Sequence, residues 1–130
     1  MTIERLGNPP VLTDGTKVPL SPAVRVGDYI YLSGVLPMRP EGGFSEDDIE
    51  AQTRQCIANI KQVLESAGAS LENVFKTTIW LVRKEDFPRF NAIYAEAFGA
   101  HPPVRSTVCS ELMVPGALVE IEAIAQASEK

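Results

Sequence analysis

Arg105, Glu120 and Glu122 are the residues whose types and spacing offer the clearest chemistry in this chain. Arg105 lies in Val104 to Leu112, a run of strand character. The two glutamates lie in a second such run, Ala117 to Ala125, beyond the turn-forming Val114-Pro115-Gly116. Side chains alternate along a strand, so each run has two faces. Arg105, Thr107, Cys109 and Glu111 share one face of the first run, and Val104, Ser106, Val108, Ser110 and Leu112 the other. In the second run Val119, Ile121, Ala123 and Ala125 form an apolar face, whereas Leu118, Glu120, Glu122 and Ile124 mix apolar and acidic groups. A guanidinium grips a carboxylate through two parallel hydrogen bonds, and a nearby carboxylate can carry protons to and from water. The mixed faces, taken as one semi-buried surface, fit a pocket for a small carboxylate-bearing ligand that another subunit covers. The same residues also fit a structural role, in which Arg105 pairs with Glu120 or Glu122 across the sheet. Cys109 reads as a small interface residue, and the lone histidine, His101, as an exposed residue of a proline loop.

The rest of the chain supplies elements that could hold such a surface. Residues 1 to 16 read as a short strand or arm and a loop. Ala23 to Val26 and Tyr29 to Leu32 flank Gly27-Asp28, the pattern of a tight β-hairpin, and deliver Ser33-Gly34 at their end. A glycine there lets a ligand or another backbone approach closely, or simply ends the strand. Pro37 to Phe44 is a loop whose paired glycines lack the context of a phosphate site. Ser45 and Asp48 resemble a helix N-cap and its acidic first turn. Ile49, Thr53, Cys56, Ile57, Ile60, Val63, Leu64 and Ala67 then recur at helical spacing up to Gly68. Cys56 falls on that apolar stripe and reads as core. Asn73 to Val82 is a strand, with Phe75, Ile79 and Leu81 toward the helices and Lys76, Thr78 and Trp80 away. Phe87, Phe90, Ile93, Tyr94 and Phe98 mark a second helix, which carries Asn91 and ends at Gly99. The order predicts one α+β or α/β domain, residues 1–130, with both helices on one face of a sheet. The other face is too apolar to stay wet, which predicts an oligomer.

The 130 residues suffice for one core. A formal net charge of -5 without a cluster of Lys and Arg argues against nucleic acid as the ligand. No apolar run is long enough for a membrane span and the start lacks a signal-peptide core, so the expected location is the cytoplasm. Cys56 and Cys109 form no CxxC pattern and read as unlinked thiols. With a single histidine, chemistry without a metal is the expectation.

Several short patterns, in order along nearly the whole chain, resemble one family. They are Tyr31-Leu32-Ser33-Gly34, a helix with Gln52, Thr53 and Asn59 that ends in Ala67-Gly68-Ala69, and Lys76-Thr77-Thr78. Asn91 with Tyr94, Pro103-Val104-Arg105-Ser106 and Val119-Glu120-Ile121-Glu122-Ala123 complete the set. Together they resemble the YjgF/YER/Rid family, the reactive-intermediate deaminases. The resemblance implies a chorismate-mutase-like fold, a homotrimer whose sheets face inward as a barrel, and three clefts between subunits. It implies that Arg105 binds the substrate carboxylate and that Glu120 helps to position the attacking water, with no cofactor. Ser33, Asn91 and Thr107 are then candidates for further hydrogen bonds, and Gly34 for close backbone approach. The chain departs from the family pattern in having Ser21-Pro22-Ala23 in place of Gly-Pro-Tyr, Val35 after Ser33-Gly34 in place of glutamine, and Thr107 where cysteine is common. The implied reaction is hydrolysis of a 2-aminoacrylate-like enamine or imine acid to a keto acid and ammonia. The departures bring in 3-aminoacrylate- or aminomuconate-type substrates and a non-catalytic binding or protein-interaction module as alternatives.

Overall fold

The structure, a computed structural model, describes residues 2–128. Strands β1 (Ile3–Leu6), β2 (Ala23–Val26) and β3 (Tyr29–Leu32) form an antiparallel meander, turned between β2 and β3 at Gly27, whose φ of 60 suits glycine. Helix α1 (Ile49–Ser66), β4 (Val74–Leu81), α2 (Phe87–Phe98), β5 (Val104–Cys109) and β6 (Val119–Gln126) follow. The six strands make one mixed sheet in the order β1-β2-β3-β6-β4-β5. Only β4 and β5 run parallel, because α2 carries the chain back between them as a βαβ crossover. Consequently β6 lies beside β4, and β5 is left at the edge.

The predicted boundaries shift where local hydrogen bonding decides them. Asp48, not Ser45, caps α1: its Oδ1 accepts from the Ala51 amide at 3.1 Å. At the other end Gly68 takes φ +83, and the amides of Gly68 and Ala69 return to Glu65 and Leu64, closing the helix as a Schellman motif. One face of α1, with Ile49, Cys56, Ile57, Ile60 and Leu64, and one face of α2, with Phe90, Tyr94 and Phe98, bury against the same side of the sheet. That side presents Ile30, Leu32, Ile79, Leu81, Val119 and Ile121. Phe75 departs from the expected helix-facing position. A bulge between Val74 and Lys76 turns Val74 inward and leaves Phe75 on the opposite, open face, edge-on to Tyr29. The open face also presents Tyr31, Trp80, Val108 and Ile124, so its apolar character matches the reading from sequence.

Candidate functional site

Arg105 stands on edge strand β5, level with Thr77 on β4 and, one strand further, Ala123 on β6. Both neighbours are buried beneath the helices, so Arg105 projects to the helix side. There its Nη1 donates to Oδ1 of Asn91 on α2 at 2.9 Å. Its Cζ lies 4.9 Å from the ring centre of Tyr94, 5.7 Å from Phe87 and 5.8 Å from Phe90, within range for attraction between a cation and a π face. The grouping follows from helical spacing: Phe87, Phe90, Asn91 and Tyr94 occupy i, i+3, i+4 and i+7, one stripe of α2. From sequence these aromatics mark only the helix, and their place around the guanidinium is a finding of the structure. Thr107 follows on the same side of β5. It lines a cleft of about 300 Å³ with Leu81, Lys84, Phe87, Val108 and Cys109. Cys109 is exposed, its Sγ directed at the Val82 carbonyl.

Glu120 is level with Trp80 on β4 and, beyond it, Val108 on β5, and so points to the open face. The expectation that Arg105 and Glu120 share one surface is thereby overturned. The strands that carry them are not neighbours but flank β4, and the register across all three sends the two side chains to opposite sides of the sheet. The direct cross-strand ion pair goes with it: among the described residues no carboxylate lies within salt-bridge distance of Arg105.

Ser33 and Gly34 gather with Glu120. After Tyr31 pairs with Ile124, the next bridge joins Val35 to Ile121, four residues on one side against three on the other. The extra residue bulges the chain at this point and brings the Gly34 backbone over Glu120. A Cβ built on Gly34 would overlap Oε2 of Glu120, so close approach is what requires glycine here. The Ser33 hydroxyl donates to the Ser21 carbonyl at 2.6 Å, which ties the turn to the segment before β2 and commits the serine proton. Burial, and then the charge of Glu122, push the Glu120 carboxyl above the ordinary carboxylate range. Trp80, Ser110, Glu111, Leu112 and Met113 line a hollow of about 190 Å³ beside it.

Helix α1 braces the loops around Glu120. Buried Gln52 donates to the carbonyls of Ser45 and Gly116 and accepts from the Leu118 amide, and Asn59 donates to the carbonyls of Leu36 and Met38. The Cys56 thiol donates a hydrogen bond to the Val35 carbonyl, and burial raises it well above the usual range, as befits a core residue. Among the described residues no group of three or more His, Cys, Asp or Glu could hold a metal ion. No helix among them is long and apolar enough to cross a membrane.

The family model described as Endoribonuclease L-PSP matches residues 15–127. The chain belongs to this family, the YjgF/Rid proteins. It is similar to the Reactive Intermediate Deaminase A, chloroplastic, of Arabidopsis thaliana, with 41% identity over 108 residues covering 82% of this chain and 58% of that one. The 3-aminoacrylate deaminase RutC of Acinetobacter baylyi is 37% identical over 119 residues, 88% of this chain and 94% of that protein. Among solved structures, a Rid-family protein of Yersinia pestis superimposes with a TM-score of 0.85 at 37% identity, covering 97% and 100% of the two chains. In this Rid-family chain the departures from the family pattern touch both groups of residues. Ala23 is buried on β2 next to the Ser33 turn and Val35 bridges Ile121, while Thr107 lies along the strand from Arg105.

Proposed function

We propose that the chain is a cofactor-independent deaminase that hydrolyses a small enamine or imine carboxylic acid, 2-aminoacrylate-like, to a keto acid and ammonia in clefts between the subunits of a homotrimer. The observation that carries this reading is the Arg105 guanidinium, fixed by Asn91 among aromatic rings with no carboxylate of the described chain to neutralise it. Such a group is preorganised to receive a carboxylate from outside. Two relatives named as deaminases support the reaction class. The net charge of -5 weighs against nuclease action on RNA.

Because Arg105 and Glu120 project from opposite faces, one substrate can meet both only if they come from different subunits. In this reading one subunit supplies Arg105, Asn91 and Thr107, and its neighbour supplies Glu120 and the Ser33-Gly34 turn. The apolar open face gains the cover it needs in the same assembly. Arg105 holds the substrate carboxylate. The substrate reacts as the protonated imine, and the Glu120 carboxylate takes a proton from water as the water oxygen bonds to the imine carbon. Glutamic acid then returns that proton to nitrogen, and the regenerated carboxylate takes the remaining hydroxyl proton as the C=O bond forms, the C–N bond breaks and ammonia leaves. That last proton then passes to the departing ammonia, which is released as ammonium. One water is consumed and no cofactor is needed. A raised carboxyl suits the task, since a stronger base removes the water proton more readily once ionised. The RutC relative, with the departures at Ala23 and Thr107, favours a second reading in which a 3-aminoacrylate- or aminomuconate-type acid is the substrate.

The test is ammonia release from imines generated in situ by an amino-acid oxidase or a serine dehydratase, with 3-aminoacrylate alongside. It uses wild type, Arg105→Ala, Glu120→Ala, and the two variants unfolded together and co-refolded. Each variant alone should be inactive. Random mixing in a trimer should restore about a quarter of the sites. An inactive mixture of well-folded trimers would refute the shared site, and an inactive wild type the deaminase itself.

A further inference from the structure

We infer that Tyr94 is a positioning residue, whose ring, anchored by a hydrogen bond between its hydroxyl and Thr77, holds the Arg105 guanidinium in the plane that receives a carboxylate. The inference rests on the reading of Arg105 as the carboxylate-binding group. An arginine side chain has many rotamers, and ordering it costs entropy. Asn91 supplies one hydrogen bond to Nη1, which fixes a direction but leaves the guanidinium to turn about that bond. A ring face against the guanidinium removes the remaining freedom, and Tyr94 offers the nearest, at 4.9 Å.

The ring is itself held. Its hydroxyl lies 2.7 Å from Thr77 Oγ1, and both side chains are buried. Thr77 is the residue directly level with Arg105 on the adjoining strand, so the hydrogen bond spans from β4 to α2 beside the arginine stem. Phe90 and Phe98 pack on the ring at 5.5 and 4.7 Å between centres. Burial foremost raises the phenol, which keeps its proton and leaves the arginine charge available to a ligand. A plain core role would need the ring but neither the threonine hydroxyl nor a cation at its face.

The experiment measures the Kd of pyruvate, a keto-acid probe, by calorimetry, together with KM and kcat for imine hydrolysis. The variants are Tyr94→Phe, Tyr94→Leu and Thr77→Val, each made also in an Arg105→Ala background. Tyr94→Phe, which keeps the ring but loses the hydroxyl anchor, should weaken pyruvate to the same extent as Thr77→Val. Thr77→Val should weaken pyruvate severalfold, and Tyr94→Leu about tenfold, with KM rising in parallel and kcat within about twofold, as for a lost ring–cation contact of about 1 kcal/mol or more. In the Arg105→Ala background these differences should vanish. Where Tyr94→Leu fails to fold, Thr77→Val with ¹⁵N-arginine spectra decides: the Arg105 Nε–H resonance should move on loss of the anchor. An unmoved resonance, wild-type pyruvate affinity in folded Tyr94→Leu, or equal losses with and without Arg105 would overturn the inference. If pyruvate affinity ignores Arg105→Ala, the assignment of Arg105 fails and Tyr94 loses its role with it. Pyruvate binding tests the inference even if wild type hydrolyses no imine.

Discussion

Arg105 and Glu120 sit in contrasting surroundings. Three rings and an amide, all from α2, confine Arg105 on a strand edge. Glu120 lies on the open face against a glycine, accepts no hydrogen bond among the described residues, and feels the charge of Glu122. The difference fits two tasks. A group that must hold a charged ligand gains from losing its motion before the ligand arrives. A group that must accept and return a proton gains from an environment that leaves its ionised form less comfortable. Packing does the first and partial removal of water the second.

The largest expected effect tests the confined side. Arg105→Ala removes two charge-assisted hydrogen bonds of about 2 kcal/mol each to the ligand, so kcat/KM for an imine acid should fall on the order of a thousandfold while the melting temperature changes little. Activity near wild type would dissolve the contrast. Glu120→Gln should lower kcat on the order of a hundredfold, as expected for loss of a general base. In wild type the acid limb of the pH–rate profile should lie above the usual carboxylate range, because the active form is ionised and the carboxyl is raised. Glu122→Gln removes the like charge and should move that limb to lower pH; a limb that stays put would deny Glu122 its influence.

A smaller effect sharpens the comparison from the backbone. Gly34→Ala displaces the end of a flexible side chain and no backbone, so it should cost little stability yet lower kcat on the order of tenfold by moving Glu120. The smallest effect is thermodynamic. A carboxyl raised in the fold binds its proton more tightly there than in the unfolded chain, so its contribution to stability is lost as pH rises from the unfolded toward the folded value. Glu120→Gln should therefore melt slightly above wild type at pH 7, and the gap should close in acid. A constant gap across pH would mean that the carboxyl is not raised.

What could be read from sequence follows the range of the forces involved. The stripe from Ile49 to Ala67, the alternation of Val119 to Ala125 and the glycines at 27 and 68 are local signals, and their elements appear within a few residues of the expected ends. Parity within β5 and β6 was equally legible, and Arg105 and Thr107 do share a side. The matching of one strand's faces to another's was not, because it depends on which strand lies between, and the crossover through α2 puts β4 there. Phe75 was misplaced for a related reason: one bulged residue inverts everything beyond it. The rings around Arg105 were visible as helical spacing but carried no sign of what they would enclose. Gly34 was visible as a residue, yet its need for closeness to Glu120 depends on a mismatch of four residues against three that only the paired strands reveal.

Gln52 carries a consequence for how the molecule breathes. Its side chain takes the place of a strand partner for the Leu118 amide while reaching the carbonyls of Ser45 and Gly116. An amide just ahead of β6, in a connection that would ordinarily trade its hydrogen with water quickly, is thus shielded by the first turn of α1. Its deuterium uptake becomes a clock for that turn, because the Leu118 amide is released only when the Gln52 side chain lets go.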